Sequence, residues 1–319
     1  LWRVRIVRGI DVIAIGGNAI IPSNGSGTIE AQRTLTGTTM RQVAELIVSG
    51  RKVIVTHGNG PIVGNIVERN EAVKNRIPPM PLDVCGADSQ GGIGYMIQQS
   101  LRNELGAASV HRDVVAIVSQ VVVSEEDEAF RNPTKPIGLF YGKDEADAIA
   151  REKGYRMVMD ANRGYRRVVP SPRPLEIVEA DVIAKLLKLG VVVIAVGGGG
   201  IPVVRRGGAL VGVEAVIDKD RAAAVLGAMV RAERLVILTS VPEVYLHFGT
   251  NAQKAIRKIR LAEIKRLYAT GEFPAGSMGP KIDAAIDFLE SGGRRVIISD
   301  ATMLLEACGG RAGTHILPD

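Results

Sequence analysis

Apolar residues fall along the chain in short unbroken runs, separated by longer stretches of helical spacing. The valine- and isoleucine-rich runs read as buried strands at Val12–Ile15, Lys52–Thr56, Asp113–Val122, Val191–Val196, Arg234–Thr239 and Arg294–Ile298. Amphipathic segments between them, Ile29–Ser49, Ala87–Leu105, Glu179–Leu189 and Gly279–Glu290, read as helices. Such alternation predicts a mainly parallel sheet covered by helices on both faces. The rhythm fails from about Ser124 to Pro174, where the chain is charged and proline-rich. That stretch carries Phe130, Phe140, Tyr141, Tyr155 and Tyr165, which suits an inserted subdomain better than a linker. Within it we expect a helix over Asp144–Lys153 and a hairpin about Asn162-Arg163-Gly164.

Three of the strands end in glycine: "DVIAIGGNAI", "KVIVTHGNGPIVGN" and "VVVIAVGGGGIPVV". Glycine after a strand can simply make a turn. Consecutive bare N–H groups there can also cradle an anion, aided by a following helix N-terminus. Ligands of open parallel sheets bind beyond the carboxyl ends of the strands, so the three loops are expected to meet in one phosphate-binding cleft. No GxxxxGK[ST] is present, and Gly58-Asn59-Gly60-Pro61-Ile62-Val63-Gly64 is a poor dinucleotide fingerprint, its third glycine one place late.

Composition narrows the partners. The 319 residues are 46% hydrophobic and 23% charged, ample for a sizeable core. No apolar run approaches the roughly 18 residues of a membrane span. The N-terminal stretch Leu1, Trp2, Arg3, Arg5 and Arg8, basic through its arginines, precedes only "VIAI", too short for a secretory core, so a cytoplasmic protein is expected. Cys85 and Cys308 lack metal spacing and read as small buried residues of a reducing compartment. The scattered histidines offer no metal motif. A net charge of +6 with 4% aromatics, and no nucleic-acid motif, argues for solvated arginines or a small anionic substrate over nucleic acid.

Three lysines stand in notable surroundings. Lys219 lies in "VIDKD" between Asp218 and Asp220, Lys281 follows glycines at a probable helix start in "GSMGPK", and Lys135 is set between two prolines in "NPTKP". Each alone is an ordinary surface lysine. Beside three phosphate-type loops they read as point charges aimed at a transferring phosphoryl group.

In order, "AIGGNA", "THGNGP", "NPTKP", "RRVVPSP", "GGGGIPV", "VIDKD" and "GSMGPK" resemble carbamate kinase, of the amino acid kinase superfamily, from about Val12 to the final "GTHILP". The resemblance implies an α/β fold, a three-layer αβα sandwich with a mainly parallel open sheet and a small protruding subdomain. It implies one domain over residues 1–319, with about 124–174 inserted over the acceptor site and about 190–319 forming the nucleotide-binding half. It further implies a cytoplasmic homodimer that interconverts ATP plus carbamate with ADP plus carbamoyl phosphate, using Mg²⁺ held mainly by nucleotide phosphates. The direction, catabolic or biosynthetic, stays open.

By the same resemblance Lys135, Lys219, Lys281 and Asp220 carry the catalysis. Gly16, Gly17, Asn18, Gly58, Asn59, Gly60, Gly198 and Gly199 bind the phosphate and acceptor. Asp218, Thr239, Val244, Tyr245 and the Met278-Gly279-Pro280 turn belong with the nucleotide. His57 is expected to be a neutral shaper of its loop, and Asp88-Ser89-Gln90 a helix cap near a dimer interface. Departures from the family pattern are Ser240 where "LTDV" has aspartate, Gly92 where "SQGWIGY" has tryptophan, and Ala161-Asn162 and His247-Phe248 where "DSGRGW" and "LYYGT" stand. The superfamily's early lysine is replaced by Ala14, as in carbamate kinases. Two other readings remain open from the residues: a kinase of another small anion on this fold, and a nucleotide-binding regulatory protein without turnover.

Overall fold

The run "IDVIAI" explains the layering. Every residue of the strand Ile10–Ile15 after the first is buried, and successive side chains point to opposite faces. Val12 and Ala14 join a core with Ile183, Leu187, Ala222, Ala223 and Phe288. Ile13 and Ile15 join another with Met40, Val43, Ile47, Ile93 and Ile97. One central strand therefore needs helices on both sides. The computed structural model describes residues 9–20, 27–160, 163–274 and 276–319. Leu1 to Arg8, Ala161-Asn162 of the expected hairpin and the Asn18 side chain lie outside the described residues.

Eight strands form the main sheet, in the order 258–260, 314–317, 295–300, 234–239, 10–15, 52–57, 192–194 and 114–116. All neighbours are parallel except Arg295–Asp300 with Thr314–Leu317. Helices Ile29–Val48 and Leu82–Ala107 cover one face; Ala180–Lys188, Lys219–Met229 and Met278–Glu290 cover the other. The chain reverses direction of travel at Ile10–Ile15, flanked by Lys52–His57 and Arg234–Thr239, which sets the cleft above that strand.

The expected single strand Asp113–Val122 is instead two. Val114–Ala116 closes the main sheet, and Gln120–Val122 pairs with Ile201–Arg206 and Glu176–Ile177 in a four-stranded sheet. Gln90 causes the break: its side chain donates to the Ser119 carbonyl at 3.1 Å and accepts from the Ser119 N–H at 2.8 Å, taking that residue out of the first ladder. Asp88-Ser89-Gln90 is no cap. The helix starts earlier, at Leu82 after Pro81, and all three residues sit inside it.

The inserted segment carries a three-stranded antiparallel sheet, Lys135–Tyr141, Tyr165–Val169 and Met157–Met159, with the helix Lys143–Lys153. It lies over the helix Gly60–Val73. A Cβ on Gly64 would be 2.3 Å from the Gly138 Cα, so the two backbones touch. Beyond that contact the Tyr141 hydroxyl donates to Glu68, and Lys153 reaches Glu71 at 3.0 Å. Beneath it Val63, Cys85, Ile137, Val169 and Val216 form a small apolar cluster. At the returning end Arg173 bonds Asp283 at 3.2 Å and Asp287 at 2.7 Å. Cys85 is buried and Cys308 half-buried; both are free thiols. Several arginines have local partners: Arg166 with Asp160, Arg205 with Glu176, Arg257 with Glu243, and Arg163 and Arg167 against the rings of Phe140 and Tyr155. No helix is long and apolar enough to cross a membrane, among the described residues.

Candidate active site

The central strand runs out into a short turn at Gly17–Ala19, and its neighbour Lys52–His57 into Gly58-Asn59 and the helix starting at Gly60. Pro61 sits in the first turn of that helix, where its missing N–H costs nothing. A Cβ on Gly16 would stand 2.8 Å from the Leu238 carbonyl oxygen, and one on Gly58 would press on the Lys219 stem at 3.3 Å and on the Gly17 nitrogen at 3.5 Å. Two loops and a lysine thus meet at one point.

Lys219 arrives there because Asp218 caps its helix. The Asp218 carboxylate accepts from the N–H of Asp220 at 3.0 Å and of Arg221 at 3.4 Å, which fixes the first turn. Its other oxygen takes the Lys135 ammonium at 2.7 Å. The nearly buried Asp220 holds Lys219 through one oxygen and Lys281, 3.0 Å away, through the other. Lys281 comes from the first turn of Met278–Glu290, so three separate segments deliver three ammonium groups. Burial alone would raise the Asp218 carboxyl, yet Lys135, then Lys219 and Lys281, hold it well below the usual carboxylate range. Burial lowers Lys219; Asp220 opposes that and Lys281 adds to it, leaving the ammonium below its ordinary value. For Lys281 burial also pulls downward, but Asp220 outweighs it and the net shift is up.

His57 is buried, and burial pushes it down to about 4. Its Nδ1 lies 3.1 Å from the Gly58 carbonyl. A carbonyl only accepts, so Nδ1 carries the proton and the neutral ring shapes the loop, as its sequence position suggests.

These groups line one cleft of about 630 Å³. Lys135, Lys219, Lys281, Asp218, Asp220, Gly58, Asn59, Gly60, Gly198, Thr239, Tyr245, Met278 and Pro280 all face it. Gly16 and Gly17 do not line it; Gly17 stands behind the lining residue Gly58, whose Cβ position is 3.5 Å from the Gly17 nitrogen. Gly199 does not line the cleft: its Cβ position lies 2.3 Å from the Ile217 carbonyl oxygen, which makes it a close-packing residue. Gly279 likewise shapes the wall, its N–H donating to the Pro274 carbonyl at 2.8 Å. Asn18 lies in the turn after the central strand. Val244 is fully buried and does not line the cleft; its neighbour Tyr245 does. Phe248 and Phe273 also line it; the sequence marks Phe248 only as a departure from "LYYGT" and gives Phe273 no role. Tyr245 and Phe248 have ring centroids 6.0 Å apart.

Among the described residues no group of three or more His, Cys, Asp or Glu side chains is placed to hold a metal ion. The cleft carboxylates are engaged with lysines and helix N–H groups. The arrangement can bind a polyanion along a line of ammonium groups and bare N–H groups, with an apolar aromatic end.

Residues 10–300 match the Amino acid kinase family. Carbamate kinase of Pyrococcus horikoshii is 47% identical over 309 residues, covering 96% of this chain and 98% of the relative. Carbamate kinase 2 of Staphylococcus epidermidis is 45% identical over 308 residues, with 96% and 98% covered. Among solved structures, carbamate kinase from Giardia lamblia bound to AMP-PNP superposes with a TM-score of 0.91 at 42% identity, covering 98% of this chain and 99% of that one.

Proposed function

The chain belongs to the amino acid kinase family, among its carbamate kinases, and on that premise we propose how its cleft moves a phosphoryl group between ATP and carbamate, giving ADP and carbamoyl phosphate. The observation that carries the assignment of roles is the pair of ammonium groups, Lys219 and Lys281, on the two oxygens of Asp220. Lys219 is also the side chain that the Gly58 loop meets beside Gly17.

Carbamate is already an oxyanion near neutral pH, so its oxygen attacks the γ-phosphorus without a general base. The new O–P bond forms as the bond to the β,γ-bridging oxygen breaks, and the negative charge passes to ADP. The tasks left to the protein are alignment and charge neutralisation. Lys219 and Lys281 stabilise the transferring group; Asp220 keeps both in place. The N–H groups of Gly16, Gly17, Gly58, Asn59 and Gly60, with Asn18, receive the γ-phosphoryl group and carbamate, and Gly198 forms the adjoining wall.

Lys135, carried by the inserted subdomain of about 124–174, closes the acceptor end, and Asp218 anchors it. The half from about 190 to 319 takes the nucleotide. Thr239, Tyr245, Phe248 and the Met278-Gly279-Pro280 turn meet its base and ribose. Mg²⁺ held by the nucleotide phosphates would neutralise part of their charge; the cleft carboxylates, engaged with lysines and helix N–H groups, fit an ion ligated by phosphate and water. We place the enzyme in the cytoplasm as a homodimer.

The test is the reverse reaction. Protein, Mg²⁺, ADP and carbamoyl phosphate are mixed and ATP is followed. ATP formation is expected. No ATP from protein that still binds ADP contradicts the carbamate assignment and favours another acceptor or a regulatory role.

A further inference from the structure

Two glycine loops from adjacent strands are locked together below the cleft by buried polar side chains. A Cβ on Gly197 would lie 2.3 Å from His57 Nε2, and one on Gly198 2.2 Å from Asn59 Nδ2. Gly197 and Gly198 are therefore glycine because side chains of the neighbouring loop occupy their Cβ space. The Asn59 amide is in turn held from the long helix Leu82–Ala107, donating to Ser89 Oγ at 2.8 Å. Ser89 Oγ donates to the Gly86 carbonyl at 2.6 Å, so its hydrogen is spent there and its lone pair faces Asn59. Ser89 is 1% exposed and Asn59 6%, while Asn59 still lines the cleft.

The second loop is clamped in the same way. Val196, just before Gly197, has a φ of 55°, a left-handed conformation that a β-branched residue rarely adopts. Ser119 Oγ accepts from its N–H at 3.0 Å, and Thr56 Oγ1 donates to its carbonyl at 3.1 Å.

We infer that Ser89 is a positioning residue for the acceptor end of the reaction: it fixes the Asn59 amide, and through it the Gly58-Asn59-Gly60 loop against Gly198. Ser89 touches no substrate. This rests on the proposed use of that loop by carbamate and carbamoyl phosphate, and it adds a residue from a helix otherwise devoted to the core. Freed from Ser89, the Asn59 amide has no other hydrogen-bond partner among the described residues, and the loop samples orientations that bind carbamoyl phosphate poorly. The nucleotide end, at Tyr245 and Met278, is not connected to Ser89 by any of these bonds.

The experiment compares Ser89→Ala, Asn59→Ala, the double variant, and Ile97→Val, a core truncation in the same helix that is remote from Asn59 in chemistry. ATP formation and thermal unfolding are read for each. Ser89→Ala should raise the KM for carbamoyl phosphate roughly tenfold, the scale of a lost buried hydrogen bond, with the KM for ADP within about twofold. Added to Asn59→Ala it should do nothing more, since its effect runs through Asn59. Equal shifts in both KM values, a fall in Tm alone like that of Ile97→Val, or additive effects in the double variant would overturn the inference. A wild type that forms ATP with Ser89→Ala unchanged overturns this inference alone. A wild type that forms none overturns the carbamate reading and this inference with it.

Discussion

The Lys135 ammonium lies 2.7 Å from the Asp218 carboxylate, 83 residues along the chain, and joins the inserted subdomain to the N-terminus of the helix that carries Lys219. One ion pair thus couples the inserted subdomain, proposed to close over the acceptor, to the helix that carries Lys219. Replacing Lys135 by alanine should lower kcat/KM for carbamoyl phosphate by at least about tenfold, the scale of a lost charge-assisted bond to substrate. ADP affinity, measured by calorimetry, should stay within about twofold. Equal losses for both substrates would take Lys135 away from the acceptor.

Gly64 lets the subdomain sit down on the helix Gly60–Val73. Gly64→Ala would place a methyl 2.3 Å from the Gly138 Cα, with backbone and no flexible side chain to yield. Overpacking of this kind costs about 1 to 3 kcal/mol. The subdomain should lift, carrying Lys135 with it. The KM for carbamoyl phosphate should rise several-fold while the KM for ADP hardly moves. Unchanged kinetics would show that the contact is not needed for closure.

Tyr245 and Phe248 line the end of the cleft that we assign to the nucleotide, and Phe248 is largely exposed. Phe248→Ala should raise the KM for ADP by roughly fivefold, about 1 kcal/mol of lost aromatic contact, and leave that for carbamoyl phosphate alone. The reverse pattern would turn the cleft end for end.

His57 links stability to pH. Unfolded, it protonates near 6.5; folded, burial holds it near 4. Its neutral ring contributes fully above about pH 7, and the contribution falls as pH drops from about 6.5 towards 4. By pH 4.5 the loss should be about 2 to 3 kcal/mol. Urea unfolding of the wild type should show this slope beyond that of His57→Asn, which keeps a donor for Gly58 but does not titrate. Equal slopes would contradict a buried neutral histidine.

What the sequence made legible were features written locally. Strand ends, glycine loops and the three lysines each show in a few consecutive residues, and the structure brings Lys135, Lys219 and Lys281 into one cleft. Features that depend on distant partners were not legible. Asp113–Val122 reads as one apolar run, and only the Gln90 clamp on Ser119, from another helix, divides it between two sheets. Ser89 resembles a cap because Asp88-Ser89-Gln90 precedes two glycines; nothing nearby says that Asn59 lies across from it. Asp218 reads as a nucleotide-binding residue; that its carboxylate also takes Lys135 and caps the helix N-terminus depends in part on a residue 83 positions away. Gly199 was assigned to phosphate with its neighbours, and only the position of Ile217 distinguishes a packing glycine from a lining one.

The most direct test of the paired-lysine site is Lys281→Ala in the ATP-forming assay, with ADP binding measured on the same protein. Turnover should fall on the order of 10²-fold or more, the scale for losing a charge partner of the transition state, with ADP affinity changed far less. A fall below about threefold would contradict a catalytic role for the lysine pair on Asp220.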